Sequence, residues 1–163
     1  MSAIYIHIPY CKQKCSYCNF HFSISQNRID EMINSIVKEL ELRKNYLNNE
    51  IKTIYFGGGT PSILNKKHLE KLFDKIRSTF NVPENAEISF ECNPDDLNKE
   101  KLILLKNLGV NRLSIGIQSF NDEDLKLMNR SHNSDEAIDS VKLAQEVGFD
   151  NLSIDLIYSL PSQ

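Results

Sequence analysis

The chain has 163 residues, a net charge of −3, 40% hydrophobic and 25% charged residues. That length supports one domain with a real core and is thin for two. The charge leaves no basic footprint for nucleic acid, and no apolar run approaches the roughly 20 residues of a membrane span, so neither nucleic-acid binding nor membrane insertion is expected.

The amino-terminal MSAIYIHIPYC has no basic n-region and no cleavage site. A secretory signal is therefore not expected, and a reducing, cytoplasmic setting is. Residues 4–8 (IYIHI) read as a strand. Residues 28–47 read as a helix, with Ile29, Met32, Ile33, Ile36, Val37, Leu40 and Tyr46 near one face. Residues 52–56 form a strand that runs into three glycines, and 66–80 form a helix with Leu69, Leu72, Phe73 and Ile76 as its stripe. A strand at 87–91 is closed by Asn93-Pro94. Asn98 caps a helix through Leu108, which Gly109 ends. Residues 112–118 read as a strand, 122–128 and 135–147 as helices, the second ended by Gly148, and 151–158 as a fifth strand.

Strand and helix alternate with short connections, which predicts a parallel α/β sheet wound either into a barrel or into a doubly wound open sheet. The sequence stops at LPSQ, just after the fifth strand, with no helix to cover it. A fragment of a longer protein is the expectation.

Each strand presents an unusual polar or glycine feature near its carboxyl end, where parallel α/β folds place their sites. The first runs into Cys11, Cys15 and Cys18. The second runs into Gly57, Gly58, Gly59 and Thr60. The third ends at Glu91, the fourth at Gln118, and the fifth carries Asp155 in an apolar run. Thiolates bind zinc or iron–sulfur clusters. A structural zinc site wants four protein ligands, and His21, or less plausibly His7, is the nearest fourth. Three cysteines would instead hold three irons of a 4Fe–4S cluster and leave the fourth open for a small molecule. Cys92 reads as a small buried hydrophobe. His7 reads as a buried, hydrogen-bonded histidine, and His21, His68 and His132 as surface or loop residues. The glycine run is not a phosphate loop, because no Gly-Lys-Ser/Thr follows. An isolated Asp155 among Leu152, Ile154, Leu156 and Ile157 would be costly unless paired.

The spacing C-x-x-x-C-x-x-C over Cys11, Cys15 and Cys18 matches the signature of radical S-adenosylmethionine (SAM) enzymes. Together with IYIHIPYC, YFGGGTPS, FECNP, NRLSIGIQSF and NLSIDLIYSLP, it makes the chain resemble the oxygen-independent coproporphyrinogen III oxidase family from about Ile4 to Pro161. The resemblance implies a partial (β/α) barrel of radical SAM type, truncated after its fifth strand. Residues 1–163 would then be an incomplete radical SAM core lacking the rest of the barrel and a C-terminal domain. It also implies that the three cysteines bind a 4Fe–4S cluster whose open iron takes SAM. Tyr5 and Tyr17 match positions that contact SAM. Gly58, Gly59 and Thr60 match the backbone that lines its methionine end. Glu91, Gln118, Arg130 and Asp155 match polar residues that reach its charged or ribose groups.

Two departures separate the chain from the coproporphyrinogen dehydrogenases of that family. They usually carry a further cysteine two residues after the third, where this chain has Phe20, and a long extension before the first, where it has ten residues. Both features resemble the HemW-like branch of haem chaperones. The resemblance therefore implies binding of haem, with its site outside this chain, and delivery to an acceptor protein. A flavodoxin- or ferredoxin-type reductant is a further expected partner. The alternatives are an anaerobic coproporphyrinogen III dehydrogenase of porphyrin biosynthesis, and a zinc-stabilised binding module using Cys11, Cys15, Cys18 and His21.

Overall fold

A computed structural model describes residues 2–47 and 49–160. Pro161, which closes the last matching segment, and the rest of the terminal LPSQ after Leu160 lie outside the described residues. Five strands form one sheet: β1 (Ser2–Ile8), β2 (Ile51–Gly58), β3 (Glu87–Cys92), β4 (Arg112–Gln118) and β5 (Leu152–Leu156). All neighbours are parallel, in the order β1-β2-β3-β4-β5. A doubly wound sheet reverses its strand order at a switch point; this one does not. The choice left open by periodicity thus resolves to a singly wound sheet, part of a (β/α) barrel.

Strand alternation sorts the two faces. One row across the sheet is Ile6, Phe56, Phe90, Leu113 and Leu152. The first four are fully buried or nearly so, and they join the core under the helices. Phe56 lies between Phe73 and Phe90, with ring centroids 4.9 and 5.2 Å away. Truncating such a ring to alanine costs about 3–5 kcal/mol. The opposite face carries the row Tyr5, Tyr55, Ser89 and Arg112 and is polar.

Five α-helices supply the cover: α1 (Ile29–Leu42), α2 (Lys66–Thr79), α3 (Lys99–Asn107), α4 (Asp122–Leu127) and α5 (Ser134–Glu146). α2 buries Leu69, Leu72, Phe73 and Ile76, the stripe read from its periodicity. Asn65, Asn98, Asn121 and Asn133 cap α2 to α5, each side-chain oxygen accepting a backbone N–H of the first turn. Asn133 and Glu136 complete a reciprocal capping box.

α1 is shorter than its apolar pattern suggests. It stops at Leu42, and Tyr46 is 74% exposed, its ring 5.6 Å from the Arg43 guanidinium. The helix's buried stripe ends at Leu40, and the exposed Leu42 and Tyr46 bury nothing that would reward another turn. β2 is longer than expected by Ile51 and two glycines, because Ile51 pairs with Ser2, and Gly57 and Gly58 pair with His7 and Ile8.

Candidate metal centre

The segment after β1 leaves the sheet and returns on itself. Cys11 N–H donates to Ser23 O at 3.1 Å and Ser23 N–H to Pro9 O at 2.9 Å. Cys11, Cys15 and Cys18 all lie on this loop, half-buried, and Cys18 N–H donates to Cys15 O at 3.2 Å. The turn after α4 clamps the loop from one side. Ser16 donates its N–H to Met128 O at 3.0 Å and its hydroxyl to Leu127 O at 3.0 Å. Gln13 donates to Asn129 O at 2.7 Å, and the Asn129 amide donates back to Lys14 O at 2.6 Å.

A second clamp is ionic. Lys12 sits between the first two cysteines, 2.7 Å from Asp95 and 2.5 Å from Asp96 in the turn after β3. Burial opposes the Lys12 charge, but its bonds to the two carboxylates outweigh that and hold its pKa above the usual lysine range. Burial likewise pushes Asp95 up, yet the bonds from Lys12 and from Ser131 leave it below the usual carboxylate range. Ser62 donates to Asp96 at 2.6 Å, which links the β2 loop to the same cluster of charges.

The glycine run lies against the cysteine loop. Gly59 N–H donates to Ile8 O at 2.9 Å. A Cβ at Gly59 would stand 2.7 Å from Tyr10 O and 2.9 Å from Cys11 Sγ. Gly58 has φ +121°, a conformation that L side chains avoid, and a Cβ there would meet His7 Nδ1 at 2.7 Å. Thr60 donates its hydroxyl to Cys11 Sγ at 3.4 Å. Burial raises the Cys11 thiol pKa above its ordinary value; the Thr60 bond and the Arg130 charge pull the other way.

Glu91, at the end of β3, accepts on both oxygens: from Tyr55 Oη at 2.7 Å and from Gly58 N–H at 3.1 Å. Burial and this neighbouring carboxylate drive the Tyr55 hydroxyl pKa upward, so the tyrosine stays a donor. Gln118 closes β4 in the left-handed region, φ 68°, a conformation rarely adopted without cause by a residue bearing a side chain. Arg130 donates to Cys15 Sγ at 3.3 Å, Tyr17 Oη at 3.1 Å, Asn93 Oδ1 at 2.9 Å and Gly116 O at 2.7 Å.

The twelve residues matched by resemblance (Cys11, Cys15, Cys18, Tyr5, Tyr17, Gly58, Gly59, Thr60, Glu91, Gln118, Arg130 and Asp155) all line one cavity of about 630 Å³ at the carboxyl ends of the strands. That volume is in the range of small-molecule sites. The same cavity takes in Gln13, Asn93 and Ser114, which sequence reasoning does not single out for the site, and His7, which it weighs only as a zinc ligand. From sequence alone Asn93 reads only as a turn before Pro94; its anchoring of Arg130 depends on a residue 37 positions away.

Several sequence expectations change. His7 is exposed on the cavity face, not buried, and shares a 3.0 Å hydrogen bond with Tyr5 Oη, because residues 5 and 7 alternate away from the isoleucines. His132 is buried, not superficial, with Nε2 2.9 Å from Ile117 O. Asp155 is exposed to the cavity, so the burial cost feared for it does not arise. Cys92 is buried as expected, its thiol pKa raised by burial. His21 is not among the cavity residues, and among the described residues no three His, Cys, Asp or Glu side chains converge as ligands to one ion. A cubane makes no such demand, since each thiolate meets a different iron.

A singly wound parallel sheet whose first strand feeds a three-cysteine loop, with a cavity over the strand ends, defines a domain of radical SAM type. The profile of the Radical SAM superfamily matches residues 5–163, and the chain belongs to that superfamily. It is 41% identical to a Bacillus subtilis protein named Heme chaperone HemW, over 100% of this chain and 44% of that one. The Escherichia coli protein of the same name is 37% identical, over 99% of this chain and 43% of its own length. The structure of E. coli coproporphyrinogen III oxidase (HemN), described as a radical SAM enzyme, superposes with a TM-score of 0.92 at 33% identity, over 99% of this chain and 38% of that one. The chain thus spans about two fifths of the length of these relatives.

Proposed function

We propose that the chain is the radical SAM core of a HemW-like haem chaperone, which holds a 4Fe–4S cluster and SAM, binds haem and passes it to an acceptor protein. The observation that carries this reading is the convergence of all twelve family-matched residues on one cavity, in a chain 41% identical to a protein named Heme chaperone HemW. The reading takes residues 1–163 as an incomplete core and places the haem site outside them. A cytoplasmic setting and a flavodoxin- or ferredoxin-type reductant belong to it; among the described residues no helix is long and apolar enough to cross a membrane.

The residues present suit the cluster. Three soft thiol donors share one loop, a hydroxyl and a guanidinium already donate to two of the sulfurs, and Gly59 leaves no room for a side chain beside Cys11. Cys11, Cys15 and Cys18 would hold it, and the cluster supplies one-electron chemistry and an iron with an open position. Tyr5, Tyr17, Gln118, Arg130 and Asp155 would orient SAM, with Gly58, Gly59 and Thr60 offering backbone at close approach. Glu91 is pre-set by Tyr55 and Gly58 rather than left to find its partner.

The test uses the full-length protein, reconstituted anaerobically. About four irons per chain, haem retained through gel filtration, and no protoporphyrinogen from coproporphyrinogen III are the expected results; Cys15→Ser abolishes the iron. Protoporphyrinogen formation under reduction overturns the chaperone reading. It would establish the second one, a coproporphyrinogen III dehydrogenase, which the 0.92 TM-score to the oxidase favours. Phe20 weighs against that second reading: it stands 79% exposed on the cavity lining where the dehydrogenases are expected to carry a cysteine. A colourless protein holding one tight zinc would overturn both.

A further inference from the structure

Arg130 lies in the connector between α4 and α5 and reaches back into the cavity. Its two terminal nitrogens divide their work. Nη2 is anchored on the sheet side, donating to Asn93 Oδ1 at 2.9 Å beyond β3 and to Gly116 O at 2.7 Å in β4. Nη1 points to the cysteine loop, donating to Cys15 Sγ at 3.3 Å and Tyr17 Oη at 3.1 Å. The remaining Nε–H is buried without a partner. A guanidinium is a rigid planar fork, so fixing one arm fixes the direction of the other. The sheet therefore aims an N–H and a positive charge at one thiol of the trio. Leaving a buried donor unpaired is costly, so a side chain placed for stability alone would do better with fewer donors.

We propose that Arg130 is a positioning residue for the cluster. It holds the Cys15–Tyr17 segment against the sheet, and its N–H···S bond and charge raise the reduction potential of a cluster bound through Cys15. The physical basis is that added electron density on a cluster is stabilised by hydrogen bonds to its sulfurs and by nearby positive charge. The proposal rests on the reading that Cys11, Cys15 and Cys18 carry a 4Fe–4S cluster. It is separate from any contact Arg130 makes with SAM, so the measurement is made without SAM.

The experiment is an anaerobic redox titration of the reconstituted full-length protein, with dithionite as reductant and the electron paramagnetic resonance signal of the reduced cluster as readout. Wild type is compared with Arg130→Lys, Arg130→Gln and Asn93→Ala. Equal iron content and a midpoint shifted to more negative potential, furthest in Arg130→Gln and least in Asn93→Ala, are expected. Arg130→Lys falls between them, because lysine keeps the charge but not the fork. If Arg130→Gln keeps its circular dichroism but loses its iron, the holding role is supported. The Lys and Asn93→Ala variants then decide the potential. Unchanged potentials in loaded variants overturn the proposal alone. A wild-type protein that takes up no cluster overturns the underlying reading, and this proposal with it.

Discussion

Gly59 is separated from a clash by one missing carbon. A methyl there would press on Tyr10 O and on Cys11 Sγ, and neither backbone nor loop thiol can swing away as a long side chain could. Gly59→Ala is expected to cost about 1–3 kcal/mol as overpacking and to displace Cys11. The reconstituted variant should keep its far-ultraviolet circular dichroism, hold less than half the wild-type iron, and melt several degrees lower. Full iron content would show that the loop yields without moving its ligand. The glycine run was legible as unusual, but the reason for Gly59 was not: it is the first cysteine, 48 residues earlier in the numbering, that needs the space. Glu91 is a similar case. Its position was legible, while its two bonds to Tyr55 and Gly58 belong to the assembled sheet.

The connector from Met128 to Asn133 does more than join α4 to α5. Asn129, with φ 53°, turns the chain and bonds the cysteine loop; Arg130 enters the cavity; His132 is buried; Asn133 starts α5 with a capping box. Burial first, and then the Arg130 charge, lower the His132 pKa below its ordinary value, against weaker pulls from Ile117 O, Asp95 and Glu136. Below about pH 6.5, the ordinary histidine value, the unfolded chain binds a proton that the folded chain refuses. His132 therefore contributes stability that is complete above that pH and is lost as pH falls toward the lowered folded-state value. The melting temperature is expected to drop between about pH 7.5 and about pH 5.5, and to drop less in His132→Gln. Equal slopes for the two proteins, followed by calorimetry, would refute the assignment. The stripe of α2, the Asn98 cap of α3 and the glycines after α3 and α5 made these helices readable to within a residue or two, because such signals are local. The connector's burial was not readable, since His132 is covered by the end of β4 rather than by its neighbours in sequence.

The five strands run in sequence order, and β5 stands at one margin of the sheet. Its helix-side residues Ile154 and Leu156 are 41% and 53% exposed. An apolar sheet margin is a template for association. The 163-residue chain by itself is therefore expected to associate with rising concentration. A double substitution, Ile154→Lys with Leu156→Lys, should shift it toward monomer in light scattering at little cost in melting temperature, because neither side chain is fully buried. Unchanged association would place the sticky surface elsewhere.

Element types, their caps and the succession of chemical groups at strand ends were already determined by the sequence, because periods of two and of 3.6 and a capping oxygen act over a few residues. The tertiary structure alone decided that His7 faces the cavity and His132 the core, and which polar groups hold one another. The reason is distance along the chain. Arg130 meets Cys15 across 115 residues, Lys12 meets Asp95 across 83, and Thr60 meets Cys11 across 49. No local pattern encodes such meetings, which exist only once parallel strands bring their carboxyl ends to one side.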